Sequence, residues 1–432
     1  MNYVYIDDLN NLDQNNNRVI MIPILSDLKR HYNINKISFI YVYDINTHIE
    51  YIINSRHIDF KPTKNLNLIN TKFAGEKFIY KKRYVNFLEN SYDIDILLWM
   101  DTLLPLEIKY NEEVNTYHNW YNKLSDINNN IPMMSWLIYC RNIVEQTKEY
   151  IKTHNISLAD MFYNRMLDNF ISVEKVGLTI NVDLAKKFDK SLGSTSYGYY
   201  NICTTTGRPS NTFNGFNFAA INKHTGIRSI VIPKDAGDIL VEFDYDSMHI
   251  RLVANMIGFN LPSTNLHEYF SKLYFKGPLT DETYEKSKVR TWQLLYGNIS
   301  GEDLKIPFFK AIHSYKQDLF AKFNSVGYVE MPISKRKMYK GNYNPINANL
   351  LFNYMLQGYE SEFNAIVLYK IRQYLYEKES KVILYTYDSF LFNINKDERH
   401  IVKELKNIME IDNFTTKCKA GWNYGEMKKV NI

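Results

Sequence analysis

The sequence predicts a mixed α/β (α+β) protein of about two or three domains. Three features point there. Residues 1 to about 150 alternate short β-like runs with helical ones. Long helical patterns dominate from about Leu158 onward. Within that helical part, two strand-like runs each end on an aspartate, Asp244 and Asp388. With 432 residues, 45% hydrophobic and 15% aromatic, the chain can bury more core than one domain needs.

In order along the chain, Lys36 to Tyr43 and His48 to Ile53 read as strands joined by the hairpin turn Asp44-Ile45-Asn46-Thr47. Leu158 to Phe188 reads as helix, and Leu192 to Tyr200 as a loop rich in Gly, Ser and Tyr. Further helical patterns cover Asp281 to Tyr296, Lys305 to Ser325, Asn347 to Glu377 and Asp397 to Met409. No internal repeat is visible.

Composition excludes several classes. The three cysteines, Cys140, Cys203 and Cys418, have no paired spacing, which argues against a disulfide framework or a zinc site and fits a reducing compartment. The N-terminus lacks the pattern of a signal peptide and no apolar run is long enough to span a bilayer, so the expectation is a soluble cytoplasmic protein with no membrane partner. The net charge of +5 is mild, but Lys335-Arg336-Lys337 with Lys340 concentrates positive charge where a polyanion can lie. The abundance of Ile, Asn, Lys and Tyr suggests an AT-rich coding genome.

Asp244 and Asp388 carry the most chemistry. Alone, each is explained by a strand-end turn. Side by side, two carboxylates mounted at strand ends can hold a pair of Mg2+ ions about 4 Å apart for in-line phosphoryl transfer. Tyr284, Lys288, Trp292 and Tyr296 recur at i, i+4 spacing and so share one helix face. A lysine buried in an aromatic stripe needs an anionic partner, and a nucleoside triphosphate is one.

Several motifs arrive in a fixed order: Thr206-Gly207-Arg208-Pro209-Ser210-Asn211, Asn217 to Ile221, the Asp244 run, Leu266-His267, Lys288 to Gly297, Asn353 to Gly358, the Asp388 run, and Gly421-Trp422-Asn423-Tyr424. Across about residues 158 to 432 this order resembles the A-family DNA polymerases, the bacterial polymerase I and phage replicase group. The resemblance implies a right hand of palm and fingers, working on primer-template DNA and deoxynucleoside triphosphates with two Mg2+ ions, for which Mn2+ can substitute. Asp244 and Asp388 would be the catalytic metal ligands, joined by the Tyr245 carbonyl. Lys288 and His267 would meet the triphosphate, with Trp292 and Tyr296 near the sugar and base. Arg208, Asn353, Gln357, Tyr387 and Arg251 would face the DNA. Minor-groove acceptors are present in every correct base pair, so donors placed there grip a duplex without reading its sequence.

The chain departs from the family in several places. Tyr284 replaces an arginine, leaving the triphosphate to Lys288, His267 and Lys286 or Arg290. His249 replaces a glutamate that closes off the space of a 2′-OH. Ser389 replaces a glutamate after Asp388, while Asp246 is an extra carboxylate after Asp244. Two positions apart on a strand, Asp246 would lie on the face of Asp244, supply an outer-shell metal contact and accept a hydrogen bond from Ser389.

Residues 1–150 resemble the ribonuclease H-like 3′-5′ exonuclease domain of the same family. Ile37 to His57 matches its second hairpin, Lys77-Phe78-Ile79 its second motif, Asp101-Thr102 the start of a following helix, and Tyr139 to Thr147 its third motif. Ile79 and Ile143 stand where metal-binding aspartates belong, and the first motif retains at most Asp7, so the domain reads as a remnant without proofreading. Residues 151–205 would be a stunted thumb and connection, and 206–432 the palm and fingers. The resulting expectation is a DNA polymerase of a phage or mobile element, working in the host cytoplasm, with a processivity factor or other replisome protein as a further partner. Two alternatives stand beside it: a single-subunit RNA polymerase-like or ribonucleotide-tolerant enzyme, and a catalytically inactive nucleic-acid-binding protein.

Overall fold

A computed structural model describes residues 3–121, 124–189, 192–212, 217, 221, 225–262, 265–275, 277–412 and 414–432. The chain divides into two compact units, Met1–Ile171 and Ser172–Ile432.

The first unit is built on six strands: β1 (Tyr3–Ile6), β2 (Val19–Leu25), β3 (Ile37–Asp44), β4 (Glu50–Asn54), β5 (Lys77–Ile79) and β6 (Ser91–Asp93), in the spatial order β1-β4-β3-β2-β5-β6. β2, β3 and β4 run antiparallel, and β5 and β6 continue parallel to β2. β1 is added at one edge, parallel to β4. β2 is buried along its whole length, so its sequence is a continuous apolar run instead of an alternating one. The β3–β4 turn is fixed by the Asp44 carboxylate, which accepts from the Asn46 and Thr47 amides at 2.8 and 3.0 Å. Helices α1 (Ile94–Thr102) and α2 (Met133–Thr153) bring Trp99 and Trp136, both fully buried, into the core.

Two expectations for this unit need correction. Asp101 and Thr102 close helix α1 instead of opening one; its start is set by Asp93, whose carboxylate accepts from the Ile96 amide at 3.2 Å. Asp7 follows β1 at the sheet edge and is exposed, whereas Ile79 ends β5. Four strand spacings separate β1 from β5, roughly 19 Å. Asp7 therefore cannot share an ion with the Ile79 position, and Ile79 and Ile143 are both fully buried core residues.

Helix α3 (Leu158–Val176) ends at Gly177, whose φ of 70° stops the helix expected to continue to Phe188. The second unit contains β7 (Ile239–Tyr245), α4 (Met248–Ile257), α5 (Leu266–Tyr274), α6 (Asp281–Tyr296), α7 (Pro307–Val326), α8 (Ala348–Tyr374), β8 (Lys381–Tyr385), β9 (Ser389–Ile394), α9 (Val402–Met409), β10 (Thr416–Gly421) and β11 (Lys428–Val430). The five strands form an antiparallel sheet in the order β8-β9-β7-β10-β11, with β7 central. α6 begins at a capping box between Thr280 and Thr283 and ends at Gly297, matching the span expected from sequence. No helix of the described residues is long and apolar enough to cross a membrane.

Candidate active site

The sheet register brings the two aspartates together. Asp244 lies near the end of β7 opposite Ser389, the first residue of β9, and the Tyr245 amide donates to the Asp388 carbonyl at 2.9 Å. Asp388 occupies the turn between β8 and β9, which is held from three sides. The Thr386 amide donates to the Ser389 carbonyl at 3.0 Å, Asn364 Nδ2 donates to the Tyr387 carbonyl at 2.7 Å, and the buried Tyr200 hydroxyl accepts from the Tyr385 amide at 2.8 Å. Tyr387 takes a left-handed backbone with φ 66° to make the turn. Asp388 is exposed on one side. Desolvation, then the Asp244 charge and then Glu360, push its carboxyl up to about 6. Two carboxylates in mutual repulsion are a donor set that a divalent cation stabilises.

On one side of the pair lies the face of α6. Trp292 and Tyr296 stack with centroids 5.5 Å apart, and His249 of α4 packs edge-on against both rings, at 6.0 and 5.9 Å. His249 Nδ1 is hydrogen-bonded to the Tyr296 hydroxyl. The C-terminal end of α6 is tied down by Asn353 Nδ2, 3.3 Å from the Tyr296 carbonyl, and by the buried Lys316, whose ammonium donates to the Gly297 carbonyl at 2.9 Å. Lys288 is exposed, so the expected buried cation is not present; its charge is available to solvent-borne ligands without a desolvation cost. His267 is buried 3.3 Å from the Ser247 hydroxyl, with its ring edge-on to Tyr284 at 5.8 Å. Burial holds its pKa below the usual range; Asp246 raises it, and Lys288 and Lys417 lower it further.

Asp246 departs from its expected position. It stands in the turn after β7, where its carboxylate pairs with Lys417 of β10 at 2.5 Å, on the opposite side of β7 from β9. The Ser389 hydroxyl instead meets Thr386 Oγ1 at 2.5 Å, so no Ser389–Asp246 bond forms. The period-two reasoning fails because the strand ends at Tyr245. Lys417 is directly opposite Asp244 in the β7–β10 register, and sequence reading missed it.

Arg208 stands against Tyr387, the residue before Asp388. Its guanidinium carbon sits 3.9 Å from the centre of the Tyr387 ring, and its Nη2 donates to Glu360 Oε1 at 3.2 Å. Glu360, Asn353 and the half-buried Gln357 are all on α8. Gly358 has a steric role. A Cβ there would lie 2.8 Å from the Thr206 carbonyl oxygen and 2.5 Å from the Met331 methyl, so only glycine lets α8 approach the loop that presents Arg208. Arg251 is buried and turned inward, its Nε donating to the Asp246 carbonyl at 3.2 Å and its Nη2 to Thr415 Oγ1 at 3.3 Å. It braces the turn after β7 and does not face a duplex. The basic run is likewise divided: Arg336 is buried with Nη2 3.4 Å from the Thr206 carbonyl, while Lys335, Lys337 and Lys340 remain exposed. Residues 218–220 of the Asn217–Ile221 motif lie outside the described residues.

No protein-family model matches the chain. In sequence it is similar to DNA polymerase I of Caldicellulosiruptor bescii, 22% identical over 335 residues, which is 66% of this chain and 39% of that protein. The chain therefore spans about two fifths of the length of this curated relative. In structure it is similar to the polymerase domain of Pol1 from M. smegmatis, solved in complex with DNA primer-template and dNTP. The TM-score is 0.67 at 12% identity, covering 95% of this chain and 96% of that one. The fold is the polymerase right hand.

Proposed function

We propose that the protein is a template-directed DNA polymerase that adds deoxynucleotides to a primer 3′-OH and releases pyrophosphate. The observation that carries this reading is the Asp244–Asp388 pair, Asp244 near the end of β7 and Asp388 in the turn that leads into β9, brought together by the β7–β9 register. No cluster of three or more metal-binding side chains exists among the described residues. A two-carboxylate set suits Mg2+, which keeps open positions for water and substrate phosphates. Asp244, Asp388 and the Tyr245 carbonyl would hold the ions, with Mn2+ as a substitute; bound there, they supply activation of the 3′-oxygen and neutralise charge on the leaving phosphates. Lys288 and His267 would receive the triphosphate, since Tyr284 replaces the family's arginine and the Lys417 ammonium is paired with Asp246. His249, Trp292 and Tyr296 would enclose sugar and base, and Arg208, Asn353, Gln357 and Tyr387 would meet the minor groove. The deciding test is primer extension on a DNA template with deoxynucleotides and Mg2+. No extension above a no-enzyme control would defeat the reading.

The same reading makes the first unit an exonuclease remnant. Incubated with a mismatched primer terminus and Mg2+, the protein is expected to leave the primer at full length, because apolar side chains at positions 79 and 143 cannot ligate a metal. A degradation ladder that survives further purification would show that the unit is an active nuclease. Among the described residues between α3 and Thr206 only short elements are present, so a reduced thumb would make few phosphate contacts and dissociate often. Short products are expected under single-encounter conditions, lengthening if a clamping partner is supplied; long products from the isolated chain at physiological salt would contradict this. The composition and compactness favour a phage or mobile-element setting.

A further inference from the structure

Glu360 sits on α8 with only 1% of its surface exposed. A carboxylate buried this deeply is unstable unless several groups compensate it. Two segments distant in sequence do so. Arg208 brings Nε to 2.9 Å from Oε2 and Nη2 to 3.2 Å from Oε1, and His249 brings Nε2 to 3.2 Å from the same Oε2. Burial alone would raise the Glu360 carboxyl, but His249 and Arg208 hold it below its ordinary value, so the group is an anion. The opposite nitrogen of His249 meets the Tyr296 hydroxyl, and Tyr296 carries Trp292 stacked on it. Carboxylate, imidazole, phenol and indole thus form one chain of contacts across the pocket. The imidazole is its middle link and has no other charged partner among the contacts described.

Resting on the polymerase reading, we infer that Glu360 is a positioning residue that sets the sugar selectivity of this pocket. An imidazole rotates about two bonds and can hydrogen-bond a hydroxyl, so by itself it yields to a 2′-hydroxyl or bonds to it. Bonded through Nδ1 to the Tyr296 hydroxyl and with the Glu360 carboxylate 3.2 Å from Nε2, the ring is confined between the two and has an anion to draw its free edge inward. Because Oε2 is shared with Arg208, the same carboxylate joins the sugar gate to the residue placed beside the primer strand. Correct seating of the duplex against Arg208 would then steady the gate.

The test compares kcat/KM for dATP and ATP in the wild type, Glu360→Gln and Glu360→Asp. Glutamine keeps the shape and removes the charge. The deoxy-to-ribo preference is expected to fall about tenfold, the size of one charge-assisted contact, mainly through a lower KM for ATP, with dATP turnover changed much less. Glu360→Asp keeps the charge and should recover part of the preference. An unchanged preference, or equal losses for both nucleotides, would assign Glu360 to fold maintenance and overturn the inference. Should the wild type extend no primer, the polymerase reading fails by itself. The inference is then judged on dATP and ATP affinities from tryptophan fluorescence, where the same convergence in Glu360→Gln supports it and its absence overturns it.

Discussion

Asp244→Asn and Asp388→Asn are each expected to reduce primer extension by about a thousandfold or more, roughly 4 kcal/mol of lost transition-state stabilisation. Asparagine preserves size and hydrogen bonding but removes the charge that a divalent cation requires. Neither side chain is placed to touch the duplex, so primer-template affinity should change little. For Asp388 the substitution also removes repulsion with Asp244 and Glu360, so the mutant fold should be at least as stable as the wild type. The combination of lost turnover, retained DNA binding and undiminished melting temperature separates a metal ligand from a structural aspartate. Substantial extension by either variant at saturating Mg2+ would mean the pair is not the catalytic centre.

Lys288→Ala should raise the KM for deoxynucleoside triphosphates by about fiftyfold, in line with ~2 kcal/mol for a charge-assisted contact to phosphate. The exposure of Lys288 makes this a clean experiment. It is one of the solvent-facing residues of α6, so truncation should shift stability by no more than about 0.5 kcal/mol. Lys417 provides the control: its ammonium is committed to Asp246, and Lys417→Ala should have a smaller effect on KM. If Lys417→Ala raises KM and Lys288→Ala does not, the triphosphate lies against β10 and not along α6.

Legibility from sequence followed the physics of each element. α6 was readable to the residue because its ends carry local signals, a Thr-x-x-Thr cap and a following glycine, and these act whatever surrounds the helix. The β8–β9 turn was readable for a similar reason. Lys417 was not, because strand register decides what stands opposite Asp244, and register is not written in any one strand. Glu360 was hidden differently. α8 is buried on several sides, so its apolar residues show no clean stripe against which a buried charge stands out. The clue available was a glutamate three residues after Gln357 in the middle of such a helix. Arg251 and Arg336 misled in the opposite sense: an arginine looks like a DNA contact in sequence, but its long stem also lets it brace buried carbonyls.

The β7–β9 pairing has a consequence for how such a protein tolerates change. Hydrogen-bond register is quantised, so the separation between Asp244 and Asp388 moves in whole residues or not at all. Side chains along both strands, which are largely buried, can be exchanged for others of similar volume while the ladder stays in step. One residue inserted in β7 ahead of Asp244 would turn that aspartate to the opposite face. Divergence should therefore be recorded in this sheet almost entirely as substitutions, with length changes confined to the connections between strands. A site built this way is protected against gradual drift, but not against a single slip.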